Sequence, residues 1–320
     1  MDLISHLLAH LQIESGIISR WTLAGDWGIN VCDFSPGYCL HLTSGQCLLK
    51  SESSGVLELQ QGQTLLALQG GQCELLARDG AASTALADLP WAGHQYREEI
   101  GLAAPAQASR LTVEGDGPTT SILGLAFTVS HSRSNPLLSQ LPEFIVLDAD
   151  NEGMLTIIEP ALEFLASDDS PGYAAVASRL AELTVIGMLR AFLIRSASRP
   201  MSAPLGIHDP RVRKVLTAIY ARPTRNWQLQ EMAAIATMAR STFSRVFSAL
   251  VGSSPIDYVH QCRIHIATRV LTETSRSIGR ISEELGYHSE RRFRDAFNRL
   301  MGCSPTQYRA NHRGHVGRLL

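Results

Sequence analysis

The stretch Phe243–Tyr258, FSRVFSALVGSSPIDY, returns fifty residues later as Phe293–Tyr308, FRDAFNRLMGCSPTQY. Both copies fit F-x-x-x-F-x-x-L-x-G-x-S-P-x-x-Y. The two Phe and the Leu fall at i, i+4 and i+7, which is one face of a helix and therefore a core face. The Gly two residues after the Leu suits the left-handed position that ends a helix. Ser-Pro then begins the next helix, with Ser as cap and Pro in the first turn. The shared letters thus specify scaffold: helix, stop, restart. Any chemistry that the two copies carry must lie in the letters between them.

Ahead of the first copy, MAAIATMARSTFSR reads as two helices joined by a tight turn, the spacing of a helix-turn-helix. The outward positions of its second helix are Arg240, Ser241, Ser244 and Arg245. In the second copy they are Glu290, Arg291, Arg294 and Asp295, with Arg292 and Arg299 near by. Arginine bonds guanine edges bidentately, and serine reaches bases or phosphates. The helix between the copies has roughly 17 residues and spans about 25 Å. With its flanking turns it can hold two recognition helices about one DNA turn apart, roughly 34 Å. Upstream, DPRVRKVLTAIYARP opens with Asp209 as cap and Pro210 at the first helical position, and WQLQEMAAIAT is a further helix. Everything from His208 onward reads helical.

Charge supports a division of labour. From Gly206 to the end there are 18 Lys+Arg against 8 Asp+Glu, a net of +10, whereas the first 205 residues hold 10 against 22, a net of −12. A basic third on an acidic body points to a nucleic-acid-binding module, or to a solvated charged helix surface. At 45% hydrophobic and 18% charged residues the chain buries a core, and a disordered or fibrous class is excluded. The N-terminus lacks the basic start of a secretory signal, and the apolar stretch LTVIGMLRAFLI is too short to span a bilayer. A cytoplasmic protein with no membrane partner is expected.

The first 200 residues change texture twice. Residues 1–20 show apolar residues at helical spacing and predict a short amphipathic helix. From Trp21 to about Phe127, short apolar runs such as YCLHLTSG and TLLALQGG alternate with Gly, Ser and Asp, the pattern of an antiparallel sandwich or barrel. Residues 80–118 predict a long loop. Helices return in GMLTIIEPALEFLAS and in PGYAAVASRLAELTVIGMLRAFLIRSAS. In the latter, Val176, Leu180, Leu183, Ile186 or Gly187, and Leu193 mark one face, suited to dimer packing or to covering the β-domain. SRPMSAPLG is the natural linker. Six cysteines include no C-x-x-C pair, so no zinc site is expected. Cys32, Cys39, Cys47 and Cys73 leave a redox role open.

The stretch from about His208 to Arg309 resembles the AraC/XylS family of bacterial transcription regulators. The resemblance implies a seven-helix domain with two helix-turn-helix motifs. Carried over by position, it puts Arg240, Ser241, Ser244 and Arg245 of the first recognition helix, and Glu290, Arg291 and Arg294 of the second, toward DNA. Asp295 stands where many members have Arg, and Ala239 stands where a capping Ser is usual. DWGINVCDF, GYCLHLTSGQCLL and LELQQGQTLLALQGGQCELL are similar to the cupin-type sensor of one branch of that family. The chain departs from it at Gln61-Gly62-Gln63, Leu68 and Cys73, and lacks the His/Glu set of metal cupins. His41 is read as a strand residue, and no metal, cofactor or catalysis is expected.

The fold expected is therefore α+β. A cupin-like β-barrel with covering or dimerisation helices occupies residues 1–200, β-rich to about 130 and helical over 136–198. A linker follows at 201–207, then an all-α domain at 208–312 with two helix-turn-helix motifs. The implied partners are promoter DNA, a second copy of the chain, and RNA polymerase if the protein activates. A small-molecule effector or a regulatory protein is a further expectation. An effector cavity would be lined by Trp27, Cys39, Leu48 and Leu66. A redox-responsive regulator and a cupin-type enzyme are the alternatives.

Overall fold

The computed structural model describes residues 2–9, 11–31, 37–92, 107–130, 134–136, 138–148, 154–167, 170–198 and 206–316. The chain divides into two compact units. A β-unit comprises residues 11–130 and 142–193, and a helical unit comprises 1–10, 131–141 and 194–320. The expected linker at 201–207 lies outside the described residues except for Gly206 and Ile207.

The strands are β1 (Ile13–Ala24), β2 (Gly28–Asn30), β3 (Gly37–Ser44), β4 (Gln46–Ser51), β5 (Gly55–Gln60), β6 (Thr64–Ala67), β7 (Glu74–Leu76), β8 (Thr84–Ala85), β9 (Trp91–Ala92), β10 (Ser109–Val113), β11 (Thr119–Val129) and β12 (Ile145–Leu147). The helices are α1 (Leu3–Leu8), α2 (Met154–Leu165), α3 (Tyr173–Ser198), α4 (Pro210–Ala221), α5 (Leu229–Ile235), α6 (Arg240–Val251), α7 (Pro255–Glu273), α8 (Ile278–Glu284), α9 (Glu290–Met301) and α10 (Pro305–Val316).

The β-unit has a seven-stranded sheet, β12-β6-β3-β11-β1-β10-β9, and a five-stranded sheet, β5-β4-β7-β2-β8. Strand alternation sorts its side chains. Trp21 and Leu23, with Tyr38, Leu40 and Leu42, join Leu49, Leu59 and Leu75 of the smaller sheet in one apolar core. The intervening residues of the large sheet meet the two helices instead. Arg20 pairs with Glu163 of α2. Cys39 Sγ lies 3.5 Å from Met188 Sδ of α3. His41 bonds Thr64 Oγ1 at 2.8 Å and approaches Glu159 of α2 at 3.3 Å.

Four expectations change. The expected helix of residues 1–20 is confined to α1, and β1 already starts at Ile13, where Ile13, Ile17 and Ile18 favour the extended chain. The expected loop over 80–118 contains β8, β9 and β10; β10 runs parallel to β1, with Leu111 opposite Trp21. Residues 93–106 of that stretch lie outside the described residues. Within the stretch read as helical, Ile145–Leu147 form an edge strand on β6.

The fourth change concerns α3. Val176 and Leu183, chosen from the apolar spacing, are exposed by 54% and 48%, while Ala177, Ala181, Val185 and Leu189 are fully buried. Small residues win because the helix lies close to β1. A Cβ built on Gly16 would sit 2.6 Å from the carbonyl oxygen of Ala177 and 2.9 Å from Ala181 Cβ.

Alternation also corrects the expected effector lining. Of Trp27, Cys39, Leu48 and Leu66, only Trp27 belongs to the inner core. Cys39 faces α3, Leu66 pairs with it in register, and Leu48 points opposite to Cys47 and Leu49, which belong to that core. The space bounded by Trp21, Tyr38, Leu86 and Leu125 amounts to about 10 Å³, at the lower limit for one water molecule. Burial pushes the thiols of Cys39 and Cys47 up to about 12, so at neutral pH both are protonated and poorly nucleophilic. Cys73 is buried beside the Tyr38 hydroxyl. Cys32 lies outside the described residues.

Gly16→Ala is expected to lift α3 from β1 and cost about 1–3 kcal/mol. A urea titration of the full chain would show it as a lower midpoint for the β-unit transition.

Candidate nucleic-acid interface

The helical unit realises the doubled pattern as two helix-turn-helix motifs. The first is α5–α6 and the second is α8–α9. In the first copy, Phe243 and Phe247 have ring centroids 5.5 Å apart, and Phe247 meets Tyr258 at 5.9 Å, edge to face. In the second, Phe293 and Phe297 are 5.8 Å apart, and Phe297 meets Tyr308 at 5.5 Å with the same interplanar angle of 75°. All four Phe are fully buried. The stop is Gly252 at φ 76° and Gly302 at φ 71°, both left-handed. Ser254 accepts from the Asp257 amide, and Ser304 accepts from the Gln307 amide while Gln307 Oε1 takes the Ser304 amide, so each restart is capped.

The copies differ in the turn. Five residues separate α8 from α9, but only four separate α5 from α6. The left-handed position is Gly286 at φ 75° in the longer turn and Thr237 at φ 56° in the shorter one. A β-branched residue in that region is strained. Ala239 precedes α6 without a side-chain cap, whereas Ser289 caps α9 by accepting from the Arg292 amide. The first recognition helix therefore starts with less local support. Upstream, Asp209 caps α4 through the Arg211 and Val212 amides. Its side-chain bond to Arg211 is the main reason its carboxyl drops to about 2, so that cap holds at neutral pH and is lost as pH falls through about 2.

The burial of α6 turns Phe243, Phe247 and Val251 inward. Arg240, Ser241 and Arg245 are exposed, and Ser244 is half-buried. On α9, Glu290, Arg291, Arg292, Asp295, Asn298 and Arg299 are exposed, and Arg294 is half-buried. Arg294 and Glu290, both picked from the sequence, bond each other one turn apart, with Nε–Oε1 at 2.8 Å and Nη2–Oε1 at 2.6 Å. Arg240, Arg245, Arg291 and Arg292 make no ion pair with any described residue. Opposite the Phe face of α9, the outward line is Arg291, Asp295 and Asn298. Arg292 and Arg299 flank it toward a cleft of about 430 Å³ that is also lined by Trp227, His260, Tyr287 and Asp295. These two arginines, near the expected site in sequence, lie on the cleft side by their spacing from Phe293.

α7 has 19 residues, close to the expected length, and at 1.5 Å per residue it spans about 28 Å. Asp257 near its start lies 3.6 Å from Arg299 of α9. Among the described residues no group of three or more His, Cys, Asp or Glu side chains could hold a metal ion. No described helix is long and apolar enough to cross a membrane.

Two helix-turn-helix motifs with unpaired guanidinium groups, on a chain that also carries a double-sheeted β-unit, define a two-module DNA-binding protein. Residues 2–193 match the family described as Cupin, and residues 232–311 match that described as Helix-turn-helix domain. The chain is 27% identical over 325 residues to an AraC-like transcription regulator of Streptomyces antibioticus, covering 97% of this chain and 98% of that protein. It is 31% identical over 201 residues to the HTH-type transcriptional regulator AlkR of Acinetobacter baylyi, covering 60% of this chain and 65% of that one. Among solved structures it is similar to the DNA-binding domain of AdpA in complex with a target DNA (31% identity, 33% of this chain, 95% of that chain, TM-score 0.32). It is also similar to ToxT from Vibrio cholerae (12% identity, 96% of this chain, 99% of that chain, TM-score 0.37). The chain belongs to the AraC/XylS family of transcription regulators and carries an N-terminal cupin domain. Proteins of this family bind promoter DNA and are regulators rather than enzymes.

Thr237→Gly is expected to relieve the left-handed strain and raise the stability of the helical unit by about 0.5–1 kcal/mol. Thermal denaturation of the full chain would show it as a higher midpoint.

Proposed function

We propose that this chain acts in the cytoplasm as a homodimer that reads promoter DNA through two recognition helices per protomer. The observation that carries this reading is the pair of matching motifs with Arg240, Arg245, Arg291 and Arg292 exposed and unpaired. On α6, Arg245 and Ser241 reach base edges, while Arg240 and Ser244 at its sides engage the backbone. On α9, Arg291 is the main base reader. Glu290 and Arg294 act as a pair, with the Arg294 fork already oriented by its neighbour. Asp295, on the same outward line, repels phosphate and accepts from a cytosine amino group. The second helix therefore favours a different half-site from the first.

Dimerisation is supported by α3. Its stripe of Val176, Leu180 and Leu183 is left out of the β-unit core, Val176 and Leu183 being exposed. Phe164 of α2 is exposed by 70%. Val176, Leu180 and Leu183 recur at i, i+4 and i+7, so they share one face of α3, the arrangement an interface uses. RNA polymerase is a further partner if the protein activates. An effector acts on the cupin domain.

Arg245→Ala and Arg291→Ala should each weaken binding to a duplex selected from a random library by about 1–3 kcal/mol, roughly 5- to 150-fold. Arg240→Ala should weaken binding across all sequences and reduce the salt slope by about 1. Gel shifts at several salt concentrations check both, and wild-type binding by Arg245→Ala and Arg291→Ala together would refute the assignment. Leu183→Glu should convert the dimer to a monomer in light scattering while the circular dichroism spectrum stays that of the folded chain.

A further inference from the structure

Arg263 sits in the middle of α7, buried to 5% exposure. Among the described residues no carboxylate pairs with it. Its guanidinium is satisfied by backbone carbonyls on two separate segments. Nε donates to Pro223 O at 3.0 Å, and Nη2 donates to Arg225 O at 2.8 Å and Thr224 O at 3.4 Å. These three belong to the α4–α5 loop that leads into the first motif. Nη1 donates to Gly286 O at 3.1 Å, in the turn of the second motif. The same guanidinium lies 5.4 Å from the centroid of the Tyr287 ring, which packs edge to face on Phe293, the first core residue of α9. The turn of the second motif also approaches the α4–α5 loop directly here. A Cβ added to Gly286 would fall 2.3 Å from Thr224 O.

An arginine fork has five donors in a fixed plane, and buried donors must be satisfied. Four carbonyls from two segments therefore meet at one rigid group, and the geometry of that group sets the separation of the segments. We infer that Arg263 is a positioning residue that fixes the spacing between the two recognition helices, and hence the number of base pairs allowed between the two half-sites. It rests on the two-helix reading above. It adds that specificity for spacing resides in a residue that touches no DNA.

The test selects duplexes from a library with a random core several helical turns long, using the full chain. Wild-type protein should enrich two half-motifs at one spacing. Arg263→Lys keeps the charge but has no planar fork. Gly286→Ala keeps every donor and acceptor but wedges a methyl group against Thr224 O and adds the strain of a side chain at φ 75°. Both variants should enrich the same half-motifs at a broadened or shifted spacing. Affinity for the wild-type duplex should fall by about 100-fold or more, the loss expected when two linked modules no longer engage together. Affinity for a duplex with one half-motif should stay at the wild-type level.

A folded variant that keeps the sharp wild-type spacing would overturn the inference. So would parallel loss of half-site and full-site binding, which marks a general structural role. If Arg263→Lys does not fold, Gly286→Ala decides by the same readout. A lone half-motif selected by the wild-type chain would instead overturn the two-helix reading itself.

Discussion

The arrangement of the helical unit depends on a cation held without an anion among the described residues. Burial lowers the basicity of Arg263, because taking the charge out of water is unfavourable. Four carbonyl dipoles and the face of Tyr287 offset that cost. A carboxylate partner would also have neutralised the charge, but from one side and from a single segment. Carbonyls lie wherever the backbone passes, so a fork that needs several of them draws several backbone segments together. Lysine offers a point charge on a flexible stem and cannot impose the same plane. Each motif has its own aromatic core, so this shared group governs how the two are held together rather than how either folds.

That separation explains why the repeated letters and the variable letters behave differently. The repeated Phe, Gly, Ser, Pro and Tyr rebuild the same core, stop and cap in both copies, down to matching ring geometries. Nothing in that interior depends on the outward positions. Ser241, Ser244 and Arg245 on one helix, and Arg291, Arg294 and Asp295 on the other, are therefore free to diverge. The longer second turn belongs with the interior. It introduces Gly286, whose missing side chain lets the second motif approach Thr224 O.

The helical unit was legible in the sequence because its signals are local. Caps, prolines, a left-handed glycine and i, i+4 aromatics act within a few residues. The β-unit was less so, because its assignments are decided across long separations. Ile13–Ala24 becomes a strand by pairing with β10 and β11, about a hundred residues away. On α3, hydrophobicity pointed to Val176 and Leu183, but close approach to Gly16 requires the small Ala177 and Ala181 there. Cys39 and Leu66 looked like cavity lining until register placed them on the helix-facing side. At the candidate interface, which positions turn away from the core was legible from the helix period. The mutual engagement of Glu290 and Arg294 follows their i, i+4 spacing, which alone does not tell whether the pair forms or each faces DNA singly.

The packing of the helical unit does not follow the order of the chain. α1, from the first ten residues, lies against α4, and its Leu3, Leu7 and Leu8 are buried. Ser134, from the segment after β11, bonds His265 Nδ1 at 3.0 Å and Thr268 Oγ1 at 3.1 Å on α7. Thr268 is fully buried. α7 is the helix that carries Arg263, so a segment covalently continuous with the β-unit touches the same element that ties the two motifs. A fragment starting at Gly206 keeps both motifs and the clamp but exposes the α4 surface that α1 covers and leaves Thr268 without Ser134. Its DNA affinity would therefore report a helical unit missing part of its own packing, and a difference from the full chain could arise there without any signal from the cupin domain.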